Sequence, residues 1–135
     1  MKGVKEHDIQ VRWPDLDGLG HVNHTTVLTY LEVGRDAVLA ACDIAANQYV
    51  VRHCDVEYLR ELRPESTSVR YLCDELTPGR TSIRTRERLL DSGGNVAVQA
   101  HFTLVMWDAE MRAARVLTDD ERQSLTPPNN EEIGK

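Results

Sequence analysis

Ten consecutive residues concentrate the chemistry of this chain: Asp15-Leu16-Asp17-Gly18-Leu19-Gly20-His21-Val22-Asn23-His24. Carboxylates, glycines, imidazoles and an amide follow a strand-like stretch and precede a helix-like one. The first turn of a helix leaves about four backbone N–H groups unpaired. They carry roughly half a positive charge. Donors of this kind polarise a thioester or ester carbonyl and hold an oxyanion. A carboxylate in the preceding loop can act as nucleophile, or as general base on water. Gly18 and Gly20 let the backbone turn sharply and let a substrate come close. The same residues also read without chemistry. Asp15 and Asp17 suit solvated turns. Asn23 suits a helix cap, as do His24 and Thr25, with Asn and Thr the better cappers. His21 and His24 with one of the aspartates form a loosely spaced metal alternative.

The flanking elements follow from periodicity. Ile9, Val11 and Trp13 alternate with polar residues, the two-residue repeat of a half-buried strand. From about His24 to Cys42, Val27, Leu31, Gly34, Val38 and Ala41 recur at helical spacing, widened by Leu28 and Leu39. Thr29, Glu32, Arg35 and Asp36 carry the polar side of this amphipathic helix. Gly34 at its middle costs about 1 kcal/mol against Ala, which close approach to a sheet would offset. Strands follow at 50–58, with Cys54, Val56 and Tyr58 on one face, and through Val69, Tyr71 and Cys73. Pro78-Gly79 marks a turn. Residues 81–90 form an Arg-rich strand, and 91–95 a hairpin loop. In the last long strand Val96, Val98, Ala100, Phe102, Leu104 and Met106 point one way. Gln99, His101 and Thr103 point the other. Thr118 caps a short helix. The expected order is strand, long helix, then four strands in a meander, an α+β arrangement.

Composition narrows the function. The 135 residues fit one domain. The formal net charge of −6 argues against a nucleic-acid partner. Cys42, Cys54 and Cys73 lack metal or disulfide spacing and read as reduced thiols in or near a core. No stretch approaches the ~20 apolar residues of a membrane span, and no leader is visible, so the expected compartment is the cytoplasm. Neither G-x-S-x-G nor H-E-x-x-H occurs, and neither nucleotide-binding glycine fingerprint does.

One family resemblance rests on named residues. Trp13-Pro14-Asp15-Leu16-Asp17-Gly18-Leu19-Gly20-His21-Val22-Asn23-His24, then Tyr30-Leu31-Glu32-Val33-Gly34-Arg35, resembles the signature of hot-dog-fold acyl-CoA thioesterases. The nearest branches are the 4-hydroxybenzoyl-CoA thioesterases and the Tol-Pal-associated thioesterases. Their pattern is D-x-D-x-x-G-x-V, then a helix bearing an aromatic, an acid and an Arg. Residues 8–36 match closely, and 56–63 resemble the family's second strand and turn. In order of elements the likeness spans about residues 5–125. Val27 departs from the pattern where many relatives carry Tyr.

The resemblance implies an α+β hot-dog fold, an antiparallel sheet wrapped around one long central helix. It implies a single domain over 1–135; the tail from about Thr126, with Pro127-Pro128-Asn129-Asn130, itself reads as frayed. It implies an acyl-CoA thioesterase with Asp17 as the catalytic carboxylate. Gly20 then admits the thioester, and the His24 backbone N–H polarises its carbonyl. Glu32 faces the site or the dimer contact; its alternative is a surface pair with Arg35, worth a few tenths of a kcal/mol. Arg60, Arg63, Arg86 and Arg88 are candidates for the CoA phosphates, because Arg suits phosphate geometry. A homodimer or homotetramer is implied, with sites between protomers and no metal or organic cofactor beyond the CoA of the substrate. An acyl-carrier-protein thioesterase and a non-catalytic acyl-CoA-binding protein are the alternatives.

Overall fold

The computed structural model describes residues 5–12, 15, 16, 20, 22–63 and 68–126. Asp17, Trp13, Gly18 and His21, which carry part of the motif, lie outside the described residues, as does the tail beyond Thr126. The strands are β1 (Lys5–Gln10), β2 (Tyr49–Tyr58), β3 (Ser68–Pro78), β4 (Ser82–Leu90), β5 (Val96–Asp108) and β6 (Ala113–Ala114). The helices are α1 (His24–Ala40) and α2 (Asp119–Leu125). All pairings are antiparallel, in the order β1-β3-β4-β5-β2, with β6 on the end of β5.

Inward residues of the sheet bury against α1. Val69, Tyr71 and Cys73 from β3, Ile83 and Leu89 from β4, and Ala100, Phe102, Leu104 and Met106 from β5 meet Val27, Leu31, Val38 and Leu39 of the helix in one core. Tyr71 lies under Gly34: a Cβ there would sit 2.2 Å from Tyr71 Cγ. The mid-helix glycine is therefore the contact that brings helix and sheet together. α2 is held by reciprocal bonds between Thr118 and Glu121. Ser124 of α2 donates to the Cys42 carbonyl at 2.9 Å.

Four expectations need correction. Only β3, β4 and β5 form a meander; β2 crosses to the far side of β5. β1 begins and ends earlier than the Ile9–Trp13 alternation suggests, because its register is set by β3, from Lys5 opposite Cys73 to Gln10 opposite Ser68. Cys54 is exposed while Cys42 and Cys73 are buried, because α1 does not cover β2.

Arg35 is the fourth correction. It is not on the polar side of α1 but is 2% exposed. Its guanidinium donates to both oxygens of Glu87 at 2.8 and 3.0 Å and stacks 3.6 Å from the centroid of Phe102. Thr85 adds a bond to the same carboxylate at 2.6 Å. Burial opposes the Arg35 charge, but the Glu87 partner outweighs it and holds the pKa above its usual value. A buried pair is tolerated when its remaining polar atoms are satisfied in this way.

Candidate functional site

The start of α1 is built by three anchors. The Asn23 carboxamide accepts from the Thr25 N–H at 2.8 Å and from its hydroxyl at 2.6 Å, so Asn23 is the N-cap. The Asn23 N–H donates to the Asp15 carbonyl at 3.1 Å, and Leu16 bridges Val22. The Val22 N–H donates to the Leu62 carbonyl at 2.7 Å, tying the junction to the segment after β2. Among the described residues, the N–H groups of His24 and Thr26 have no acceptor. The helix dipole adds partial positive charge at this end.

The structure gives Asp15 a definite task. It is 3% exposed. Its carboxylate accepts from the Tyr30 hydroxyl at 2.5 Å, the Arg12 N–H at 2.9 Å and the Arg12 guanidinium at 3.2 Å. Burial works against its charge, yet these donors win and keep the carboxyl below the usual aspartate range. Burial and the same hydrogen bond push the Tyr30 phenol well up. Asp15 therefore clamps the loop to the helix. Neither the solvated-turn reading nor a catalytic one fits it.

Gly20 has φ +80, and nothing lies within 4 Å of where a Cβ would stand. The left-handed backbone thus calls for glycine, and it borders open space. His24 is exposed, its ring edge-on to Tyr58 at 6.3 Å between centroids. The Tyr58 hydroxyl donates to the His24 carbonyl at 3.3 Å. Near the other end of the helix the Tyr49 hydroxyl donates to Asp36. So α1 runs alongside β2, linked at both ends. Between the links lie Leu28 and Glu32 of the helix, both exposed, and Cys54 and Val56 of the strand. Leu28, Cys54 and Val56 give the strip between these links an apolar character.

Glu32 does not pair with Arg35, whose guanidinium is taken by Glu87. Of the arginine candidates, Arg88 is committed to Asp74 through two bonds of 2.7 Å. Arg86 lies 3.5 Å from Glu75, and Arg63 lies 3.6 Å from Glu61. His24 and Glu32, eight residues apart on α1, are both exposed.

Sequence reasoning missed the Asp15–Tyr30 clamp and the Arg35–Glu87 pair. Glu87 had a legible signal. It shares strand parity with Ile83 and Leu89, so it faces inward and requires a cation.

The family model described as the thioesterase-like superfamily matches residues 11–130, nearly the whole chain. The chain belongs to the thioesterase-like superfamily. It is a hot-dog thioester hydrolase, and its antiparallel sheet wrapped on α1 is the fold of that class. A thioesterase from Thermus thermophilus, solved with coenzyme A and Zn, is 25% identical, with a TM-score of 0.79 over 92% of each chain. A predicted thioesterase from Bacillus stearothermophilus is 24% identical, with a TM-score of 0.80 over 90% of this chain and 93% of that one. A 1,4-dihydroxy-2-naphthoyl-CoA thioesterase from Synechocystis shares the fold at 12% identity, with a TM-score of 0.79 over 91% and 96%. No curated protein matches the sequence.

Proposed function

We propose that this hot-dog enzyme hydrolyses an acyl-CoA thioester to the free acid and CoA, in a groove that a second copy of the chain completes. One observation carries the reading. Among the described residues the N–H groups of His24 and Thr26, at the start of α1, have no acceptor, and the His24 carbonyl is tied to Tyr58 of β2. The Thermus relative, solved with coenzyme A, supports CoA as the thiol component.

The chemistry follows from the site. The thioester carbonyl oxygen accepts from the His24 N–H, and the helix dipole stabilises charge developing there. Gly20 leaves room for the sulfur end of the substrate. Asp15 is consumed by Tyr30 and Arg12, so Asp17 is the motif's other carboxylate for the reaction. It removes a proton from the attacking water, or attacks the carbonyl itself to form an anhydride that water then opens. The carbon–sulfur bond breaks, and the CoA thiolate leaves and takes up a proton. Leu28, Val56 and Cys54 line the acyl path, and Glu32 sits along it, where it meets acyl substituents or the second copy.

Asp17→Asn tests the assignment. Thiol release from a panel of short, long and aromatic acyl-CoAs should fall by about 100-fold or more, within the usual range for losing a general base. The circular dichroism spectrum should not change. Turnover at the parent rate in this variant excludes Asp17. Matched acyl-CoA and acyl-carrier-protein thioesters, assayed side by side, separate the two thiol components.

A further inference from the structure

The face of the sheet opposite α1 holds a second, differently built site. We propose that it binds a phosphate-bearing small molecule of nucleotide size. An open cavity of ≈ 520 Å³ there is lined by Arg52, His53, Gly79, Ser82, Arg84 and Thr103. That volume lies within the about 300–1,000 Å³ typical of small-molecule sites.

The residues converge because of one irregularity. Val51 stands opposite Leu104 and His53 opposite Thr103, so the register slips and Arg52 is an extra residue in β2. Leu104 faces the core and Thr103 the other side. A bulge re-aims side chains, and here Arg52 joins His53 on the outward face. Thr103 pairs in turn with Arg84 of β4, setting His53, Thr103 and Arg84 in one row across three strands. Gly79 lets the Ser82 hydroxyl approach, since a Cβ at 79 would stand 2.7 Å from it.

The charge pattern points to an anion. The next row reads Asp55, His101, Arg86 and Glu75, with a carboxylate at each end of it. In the cavity the pattern stops. Among the described residues neither Arg52 nor Arg84 has a carboxylate within ion-pair distance. No acidic side chain lines the cavity in a protein of net charge −6. Two guanidiniums, an imidazole and two hydroxyls form a set rich in donors, suited to phosphate oxygens. Because the site lies across the sheet from the acyl groove, its ligand need not be the substrate. The phosphate could belong to the nucleotide end of CoA or to a separate nucleotide.

Calorimetric titration with inorganic pyrophosphate and with ADP at low salt tests the site. Both should bind saturably, and Arg84→Gln and Arg52→Gln should each weaken binding by about tenfold or more, the value of a lost charge-assisted contact. Arg70→Gln, beside Glu6 and Asp8 of β1, should leave the affinity near that of the parent. Absence of saturable binding, or equal weakening by Arg70→Gln, overturns the proposal. Both sources support the site and are separated by kinetics. A raised KM for acyl-CoA in Arg84→Gln, with acyl-pantetheine unaffected, assigns the phosphate to CoA. Unchanged acyl-CoA kinetics with lost ADP binding assigns it to a separate nucleotide. Calorimetry needs no turnover, so this site and the hydrolytic reading fail independently.

Discussion

Asp15 illustrates how a side chain in a reactive-looking motif becomes structural. Its carboxylate receives donors from Tyr30 and Arg12 while being 3% exposed. Because the folded pKa lies below the unfolded value, the stabilising contribution is complete above that unfolded value, about 3.9. It is lost as pH falls through the lower folded value. Asp15→Asn should therefore lower stability by about 1–3 kcal/mol at neutral pH, since Tyr30 loses a charged acceptor. The acid limb below about pH 4 should flatten correspondingly. Urea unfolding at neutral and acid pH measures both effects, and parental stability at neutral pH would show that the clamp contributes nothing. The sequence offered a solvated turn for Asp15 and did not reveal its clamp. Tyr30 lies fifteen residues from Asp15, and only the folded helix carries its hydroxyl back to the loop.

Within the elements, Gly34 decides how close α1 can come to β3. Ala is the better helix former by about 1 kcal/mol. Yet a Cβ at 34 would stand 2.2, 2.5 and 2.6 Å from three ring atoms of Tyr71, which is fully buried. Overpacking of this kind costs about 1–3 kcal/mol, so Gly34→Ala should destabilise rather than stabilise. Its thermal midpoint should fall, and a rise would show that the ring yields freely. The same packing turns Arg35 inward to Glu87. Glu87→Gln should lower stability by about 3–5 kcal/mol, because a buried guanidinium loses its counter-charge. Arg35→Met combined with Glu87→Leu should recover most of that loss in denaturant titration. A double variant as weak as the single would locate the cost elsewhere. Helix periodicity set the length of α1 well, but it put Arg35 on the wrong face. Hydropathy treats every guanidinium as solvated, and the partner is 52 residues away.

The whole molecule has two unlike edges. β1 presents Lys5, Glu6, Asp8 and Gln10, a charged edge of the sort that resists further pairing. β2 is ten residues long, and its helix-side residues Val51, Cys54 and Tyr58 are exposed because α1 leaves them uncovered. Val51 and Tyr58 are 49% and 47% exposed. A free edge with an uncovered apolar strip favours a two-fold pairing of β2 with its copy. That pairing would roof the groove beside His24. Sedimentation should report a dimer, and Val51→Asp should shift it toward monomer with loss of thioester hydrolysis. A monomeric, fully active parent would contradict the shared groove.

The sequence alone determined what local periodicity and short motifs encode. It marked α1, the strands β2 to β5, the Thr118 cap and the junction where a helix start meets the D-x-D loop. These depend on neighbours a few residues apart. Tertiary structure decided everything that depends on distant partners. It moved β2 across to β5, buried Arg35 against Glu87, sealed Asp15 under Tyr30 and turned Arg52 outward through a bulge. Each outcome is set by which strand lies beside which, and pairing register is a property of the assembled sheet rather than of any segment within it.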